Sequence, residues 1–175
     1  MVARFAGEAC RRARETARLT RGDLAASLRL SSVDRVRIWE DELEAPRPAM
    51  IPEIARVLAT PPPKLLRDVG DPPSLSALRL AAGLTGAEVV RRASTLTTMT
   101  YHRLDTGRGP QRPPDPAVVA ELAAILGVPD EAVAAGLVQA QTMRCSTTSD
   151  DIACPLTHAD RGSMGASGPL GRRRG

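Results

Sequence analysis

Residues 14–42 of this chain repeat without a gap at residues 79–107. Apolar positions recur at helical spacing in both copies, and the recurring polar positions are of types that cap helices or form salt bridges. The matching pairs are Arg14/Arg79, Ala17/Ala82, Leu19/Leu84, Thr20/Thr85, Asp23/Glu88, Leu24/Val89, Leu28/Ala93, Val36/Tyr101, Trp39/Leu104 and Glu40/Asp105. A repeat of this length predicts one supersecondary unit that occurs twice.

The scarcity of aromatic residues narrows the fold class. Phe, Trp and Tyr occur once each among 175 residues, so the cores must be built from Leu, Val, Ile and Ala. Leu and Ala favour helices, whereas strands are typically rich in aromatic and β-branched residues. We therefore expect an all-α protein, and the length suits two small units.

The first unit is expected at residues 4–69. Thr20 and Asp23 predict a capping box at the start of its second helix. We predict helices over about 4–18, 21–28, 32–41, 51–58 and 64–69. The inward positions of the first predicted helix are Phe5, Ala9, Ala13 and Ala17.

The second unit is expected at residues 74–141, after a short Gly/Asp/Pro linker. We predict helices over about 74–82, from a cap at Thr85, from a cap at Thr97, over 115–126 and over 129–140. Beyond residue 141 the composition changes to Ser, Thr, Gly, Pro and Arg. We interpret residues 142–175 as a disordered tail.

Several short motifs occur in the same order in both units. In the first unit they are LTRGDLA at 19–25, WE at 39–40, PRP at 46–48 and IARVL at 54–58; in the second they are LT at 84–85, LD at 104–105 and LAAILGVP at 122–129. This pattern resembles the XRE/Cro-type, lambda-repressor-like family of bacterial helix-turn-helix DNA-binding domains. The resemblance implies two tandem five-helix domains, in which the third helix of a domain enters the major groove.

The resemblance also implies a structural ion pair between the first helix and the acid that ends the third. The pairs would be Arg14 with Glu40 and Arg79 with Asp105. One departure from the family is that each copy has one residue more in the turn region. Arg29 or Ser94 stands where the family has Gly in the turn.

By this resemblance, the base-facing positions of the second copy are Thr98, Met99 and Arg103. Arg can bond guanine through two N–H groups, Thr can donate to a base or phosphate, and Met can pack on a thymine methyl. Around them we expect further DNA contacts from Thr97, Thr100, His102, Arg108 and Arg112.

In the first copy the corresponding positions are Val33, Asp34 and Ile38. Asp34 and the acidic run at 40–44 would repel phosphates, while several basic and polar side chains favour binding. The DNA-contact candidates there are Arg21, Ser32, Arg35 and Arg37. An alternative is that these are ordinary surface charges on solvent-exposed helices and do not contact DNA.

The leading hypothesis is a cytoplasmic bacterial transcriptional regulator that binds double-stranded DNA, and both copies could bind one duplex. An alternative is a protein-interaction scaffold, with a homodimer or another protein as partner, in which the first copy does not read DNA. We expect no enzyme activity, because the chain has only two His residues and no phosphate-binding Gly-rich loop. We expect no cofactor and no membrane span. Cys145, Cys154 and His158 lack the paired spacing of zinc ligands, so we expect no metal.

Overall fold

The computed structural model describes residues 2–108 and 115–147, with side chains up to residue 141. Almost all of the regular structure is helical, which confirms the all-α class. The elements are β1 Arg4–Phe5, α1 Gly7–Thr16, α2 Arg21–Ser27, α3 Asp34–Glu40, α4 Met50–Val57, a 3-10 helix Pro62–Leu65, β2 Leu66–Arg67, α5 Leu75–Ala81, α6 Gly86–Arg92, α7 Thr98–Asp105, α8 Pro116–Leu126 and α9 Asp130–Thr147.

The chain begins with a strand, not with the helix predicted from residue 4. Phe5 pairs with Leu66 in an antiparallel two-stranded sheet, and helix α1 starts only at Gly7. A Cβ atom at Gly7 would lie 2.3 Å from the Trp39 carbonyl oxygen. The absence of a side chain at this position therefore lets α1 start directly against the end of α3.

The inward face of α1 also differs from the prediction. Cys10 and Arg14 are buried, whereas Ala9 and Ala13 are only partly buried and Ala17 is exposed. Cys10 and Arg14 are four residues apart, so they lie on one face of the helix. The face was misplaced because a buried arginine does not count as apolar in a periodicity argument.

The helix predicted over residues 64–69 is replaced by the 3-10 helix and by β2. The amide of Lys64 donates to the Pro61 carbonyl at 3.0 Å, which is the shorter spacing of a 3-10 turn. Three consecutive prolines at 61–63 provide no amide donors for an α-helix. The chain then extends, and Leu66 and Arg67 pair with β1.

In the second half the predicted helices are present within one or two residues of the predicted bounds, except at the end. Helix α9 continues to Thr147, beyond the predicted start of the disordered tail. No Gly or Pro lies between Leu137 and Thr147, so the sequence has no residue that would stop the helix. Residues 148–175 lie outside the described residues.

Two clusters of buried side chains form the cores. One contains Val36, Trp39 and Ile54, and the other contains Val89, Tyr101 and Leu122. Helix α5 joins them: Ala77 belongs to the first cluster and Leu75 and Leu78 to the second. A buried hydrogen bond of 3.0 Å from the Ala3 amide to Ser76 Oγ adds a polar contact between the halves. The two halves are therefore packed against each other through α5.

Candidate nucleic-acid interface

Helices α6 and α7 follow each other across a short turn in the second half. The Thr85 hydroxyl accepts from the Glu88 amide at 3.1 Å, and the Glu88 carboxylate accepts from the Thr85 amide at 2.7 Å. The same reciprocal contact links Thr20 and Asp23 at the start of α2, as predicted. These hydrogen bonds satisfy amides that the first helical turn leaves unpaired.

Helix α7 has one buried side chain, and most of its other side chains are exposed. Tyr101 is the buried residue of α7, and Leu104 packs on the same cluster. Burial raises the pKa of the Tyr101 phenol to well above its ordinary value, so the ring is neutral. The exposed residues of α7 are Thr98, Met99, Thr100, His102 and Arg103.

Two of the predicted DNA contacts serve the helix itself. The Thr97 hydroxyl accepts from the Thr100 amide at 3.2 Å and lies 2.9 Å from the Thr100 hydroxyl. Thr97 is therefore the N-cap of α7. This leaves Thr98, Met99, His102 and Arg103 as an outward set, which we call the α7 face.

Hydrogen bonds from Thr85 lower the pKa of Glu88, and the charges of Arg91 and Arg92 lower it further. Among the residues that the structure describes, Arg91, Arg92, Arg103 and Arg108 form no salt bridge. Arg108 is exposed directly after the end of α7. Arg112, also a predicted DNA contact, lies outside the described residues.

The predicted DNA contacts on the first half are paired with acids. Arg21 Nε lies 2.8 Å from Glu40 Oε2, Arg35 Nη1 lies 3.7 Å from Glu44, and Arg37 Nε lies 3.3 Å from Asp34. Arg37 also lies 3.9 Å from Asp41.

Ser32 has a local role, because its hydroxyl accepts from the Asp34 amide at 3.1 Å. The outward side of α3 also carries exposed Val33, with 49% of its surface accessible, and exposed Asp34. The outward side of α3 therefore carries arginines that are paired with acids, together with an exposed apolar side chain.

Arginine and acid residues from the first and third helix of each half are brought together. Arg14 Nε lies 2.6 Å from Glu40 Oε1, and Arg79 Nη2 lies 3.3 Å from Asp105 Oδ2. Burial of Glu40 opposes ionisation, but hydrogen bonds from Arg14 and Arg21 outweigh it, and the pKa of Glu40 lies below its ordinary value. Both arginines also donate to the equivalent carbonyl, Arg14 to Leu19 at 2.8 Å and Arg79 to Leu84 at 3.0 Å.

Sequence reasoning missed Glu121 on α8. Its carboxylate accepts hydrogen bonds from Ser94 and Thr95, which lie in the turn between α6 and α7. Hydrogen bonds from the Ser94 and Thr95 side chains are the main cause that lowers the pKa of Glu121 to about 2. The available signal was the pair of adjacent hydroxyl residues in this turn. Arg91 and Arg92 were missed as well, although they directly precede this turn.

No group of His, Cys, Asp or Glu residues that could hold a metal ion occurs in the described part of the chain. Cys154 and His158 lie outside it. Within the same residues, no helix has the length and apolar character needed to cross a membrane.

Comparison with known proteins finds a family match in the second half. Residues 74–136 match the sequence family described as "Helix-turn-helix domain", a range that runs from the N-cap of α5 into α9. This part of the chain is therefore similar to helix-turn-helix domains. No curated protein and no solved structure matches the chain significantly.

Proposed function

We propose that the protein is a cytoplasmic, sequence-specific DNA-binding regulator of transcription whose second half inserts α7 into the major groove. The observation that carries this proposal is the contrast between the two outward helix faces. The α7 face combines Arg103, Met99 and Thr98 with nearby Arg108, and neither arginine forms a salt bridge among the described residues. Uncompensated arginines can neutralise phosphates and release counterions, whereas paired arginines must first give up their partners.

We infer that the two halves are copies of one XRE-type unit. Support comes from the equivalent contacts of Arg14 and Arg79, from the capping boxes at Thr20 and Thr85, and from the shared order of helices. The scaffold is common to both copies, whereas the outward residues differ. In this interpretation the first copy supports the fold and the second copy reads the sequence.

The test is selection of genomic fragments by the full chain at low ionic strength, followed by sequencing of the bound fragments. We expect enrichment of a shared motif and an affinity that falls as salt is raised. The matched control is Arg37→Ala on α3, which should leave the selected motif unchanged because Arg37 lies beside Asp34 and Asp41. Absence of any salt-dependent binding to duplex DNA would refute the proposal.

A second candidate function is protein contact, including self-association, through the first half. Leu43, three residues after the end of α3, has 72% of its surface exposed, and Val33, just before α3, is also exposed. Isolated exposed apolar residues are common, so this candidate depends on whether these two act together.

Sedimentation equilibrium decides between the two roles of the first half. If the first half self-associates, Leu43→Asp should shift the chain to monomer and leave DNA affinity unchanged. Val2→Asp, at another exposed apolar position, is the control. A wild-type chain that stays monomeric at all concentrations would rule out self-association.

A further inference from the structure

The two helix-turn-helix turns are built differently. In the first half Arg29 has a φ of 54°, and the amides of Arg29 and Leu30 donate back to the α2 carbonyls of Ala26 and Ala25 at 3.0 and 2.9 Å. In the second half the C-cap residue Ala93 is extended, with φ −79° and ψ 142°. The chain therefore leaves α6 directly, and the amides that follow need another acceptor.

Glu121 supplies that acceptor from α8. Its Oε1 atom lies 2.5 Å from the Ser94 amide nitrogen and 2.6 Å from the Ser94 hydroxyl. Its Oε2 atom accepts from the Thr95 amide at 3.3 Å and from the Thr95 hydroxyl. One carboxylate thus holds two successive residues of the turn. Ionised acceptors make stronger hydrogen bonds than neutral ones, so this contact favours one position of the turn.

The repeat provides an internal comparison. The buried residues of α4 and α8 correspond as Ile54 to Leu122 and Leu58 to Leu126, which makes Glu53 the counterpart of Glu121. Among the described residues, Glu53 forms no such hydrogen bond with the turn of the first half; it bonds Arg56 instead. Its Oε2 atom pairs with Arg56 Nη2 at 2.9 Å, one turn along the same helix. The same acid therefore has a surface role in one copy and a turn-binding role in the other.

Two contacts fix the N-terminal end of α7: buried Leu96, just before the N-cap, and the bonds to Glu121. Tyr101, near the middle of α7, is its one fully buried side chain, and Asp105 at the C-terminal end lies 3.3 Å from Arg79. Between Leu96 and Tyr101 all residues are exposed. The hydrogen bonds from Ser94 and Thr95 to Glu121 are thus the polar contacts with another helix that lie nearest to the start of α7.

We propose that Glu121 is a positioning residue that holds the α6–α7 turn and so sets the orientation of the α7 face. The consequence for DNA rests on the function proposed above: Glu121 governs discrimination between sequences and not overall affinity for duplex DNA. Base-edge contacts require side chains at fixed positions, whereas phosphate contacts tolerate a looser helix.

Three substitutions distinguish the effect of the position of the Glu121 carboxylate from the effect of its charge. Glu121→Asp keeps the charge but shortens the reach, Glu121→Gln keeps the reach but removes the charge, and Glu53→Gln removes a charge at the equivalent place in the first copy. Because Ser94 and Thr95 are exposed, water can replace the lost acceptor and the domain should stay folded. Circular dichroism of each variant checks this.

The first readout needs no DNA. Both Glu121 variants should increase amide hydrogen exchange at Ser94 and Thr95 about tenfold, as expected for loss of one hydrogen bond. Residual dipolar couplings of the α6 and α7 amides should show a changed angle between the helices. Wild-type exchange and couplings in both variants would overturn the proposal, whatever the protein does with DNA.

The second readout uses fragments selected by the wild-type chain. Both Glu121 variants should lower the ratio of specific to random-duplex affinity about tenfold, the loss expected when one bidentate base contact is misaligned. Glu53→Gln should leave the ratio unchanged. A loss in Glu121→Gln alone would indicate a charge effect and overturn the positioning role. A wild-type chain that binds no duplex would refute the proposed function, and the exchange and coupling data would still decide whether Glu121 orients α7.

Discussion

Arg14 holds the Glu40 carboxylate through two hydrogen bonds, Nε to Oε1 at 2.6 Å and Nη2 to Oε2 at 3.3 Å. Arg21 and Arg11 approach the same carboxylate at 2.8 and 3.6 Å, so three guanidinium groups surround one buried acid. The counterpart in the second half is weaker. Asp105 has one salt bridge, at 3.3 Å, and Arg79 Nε is buried without an acceptor.

Glu40→Gln should therefore destabilise the protein strongly. Removing one partner of a buried ion pair leaves an uncompensated buried charge and costs about 3–5 kcal/mol. Asp105→Asn should cost less, about 1–2 kcal/mol, because its contacts with Arg79 and the Tyr101 hydroxyl are longer, at 3.3 and 3.4 Å. Urea unfolding measures both, by far-ultraviolet circular dichroism and, for the first half, by the fluorescence of Trp39, the one Trp of the chain.

Arg12→Ala is the control for this comparison. Arg12 is exposed and lies 3.9 Å from Glu8, so its loss should change the free energy of unfolding by less than about 0.5 kcal/mol. Equal costs for Glu40→Gln and Asp105→Asn would show that the extra guanidinium groups around Glu40 do not stabilise the fold.

The effect of Glu40 should depend on pH in a defined direction. The pKa of Glu40 lies below its ordinary value of 4.5 in the folded protein, because hydrogen bonds from Arg14 and Arg21 outweigh burial. A carboxyl of this kind stabilises the fold above its unfolded pKa and loses that contribution as the pH falls through its folded pKa.

The difference in free energy of unfolding between wild type and Glu40→Gln should therefore be constant near neutral pH and shrink below 4.5. Urea titrations between about pH 7 and pH 3 measure it. A difference that grows as the solution is acidified would contradict the direction of the pKa shift.

Local sequence patterns predicted much of this fold. The capping pairs at Thr20 and Thr85 need residues only three positions apart, and buried positions such as Val36 and Leu122 follow helical spacing. Long-range relationships were not visible in the same way. The pairing of Phe5 with Leu66 and the contact of Glu121 with Ser94 join distant residues, and no local pattern specifies either partner.

The candidate site was predictable to a similar extent. The exposed residues of α7 follow from the position of Tyr101, since outward positions are fixed once the inward one is known. Whether an arginine is free or paired depends on which acid lies beside it in the folded chain. The sequence alone does not distinguish Arg21 from Arg103. In the structure only Arg21 has an acidic partner, Glu40, among the described residues.

Gly7 provides a test of the close approach between α1 and α3. An added Cβ would lie 2.3 Å from the Trp39 carbonyl oxygen and 2.7 Å from that of Glu40, and both are backbone atoms. Gly7→Ala should therefore force the helices apart and cost about 1–3 kcal/mol. Thermal and urea unfolding give the value.

Gly22 offers the opposite expectation within the same half. It lies in α2, and an added Cβ would meet only Thr20 Oγ1, at 3.5 Å. Gly22→Ala should stabilise the protein by about 0.5–1 kcal/mol, because Ala loses less backbone entropy in a helix. If Gly7→Ala left the free energy of unfolding as unchanged as a tolerated substitution would, the approach of α1 to the Trp39 carbonyl would not be tight.

The α7 face should separate base recognition from phosphate binding. Arg103→Ala should cost about 1–3 kcal/mol for the selected sequence and relax preference at one base pair. Arg108→Ala should weaken all duplexes alike and reduce the slope of log affinity against log salt by about 1, as expected for one lost phosphate contact. Fluorescence anisotropy over a range of salt, with selected and random duplexes, measures both quantities.

The control is Arg37→Ala in the first half, where Asp34 and Asp41 already compensate the charge. If Arg37→Ala lowered the affinity as much as Arg103→Ala, the first copy would also contact DNA and the proposed division between the copies would be wrong.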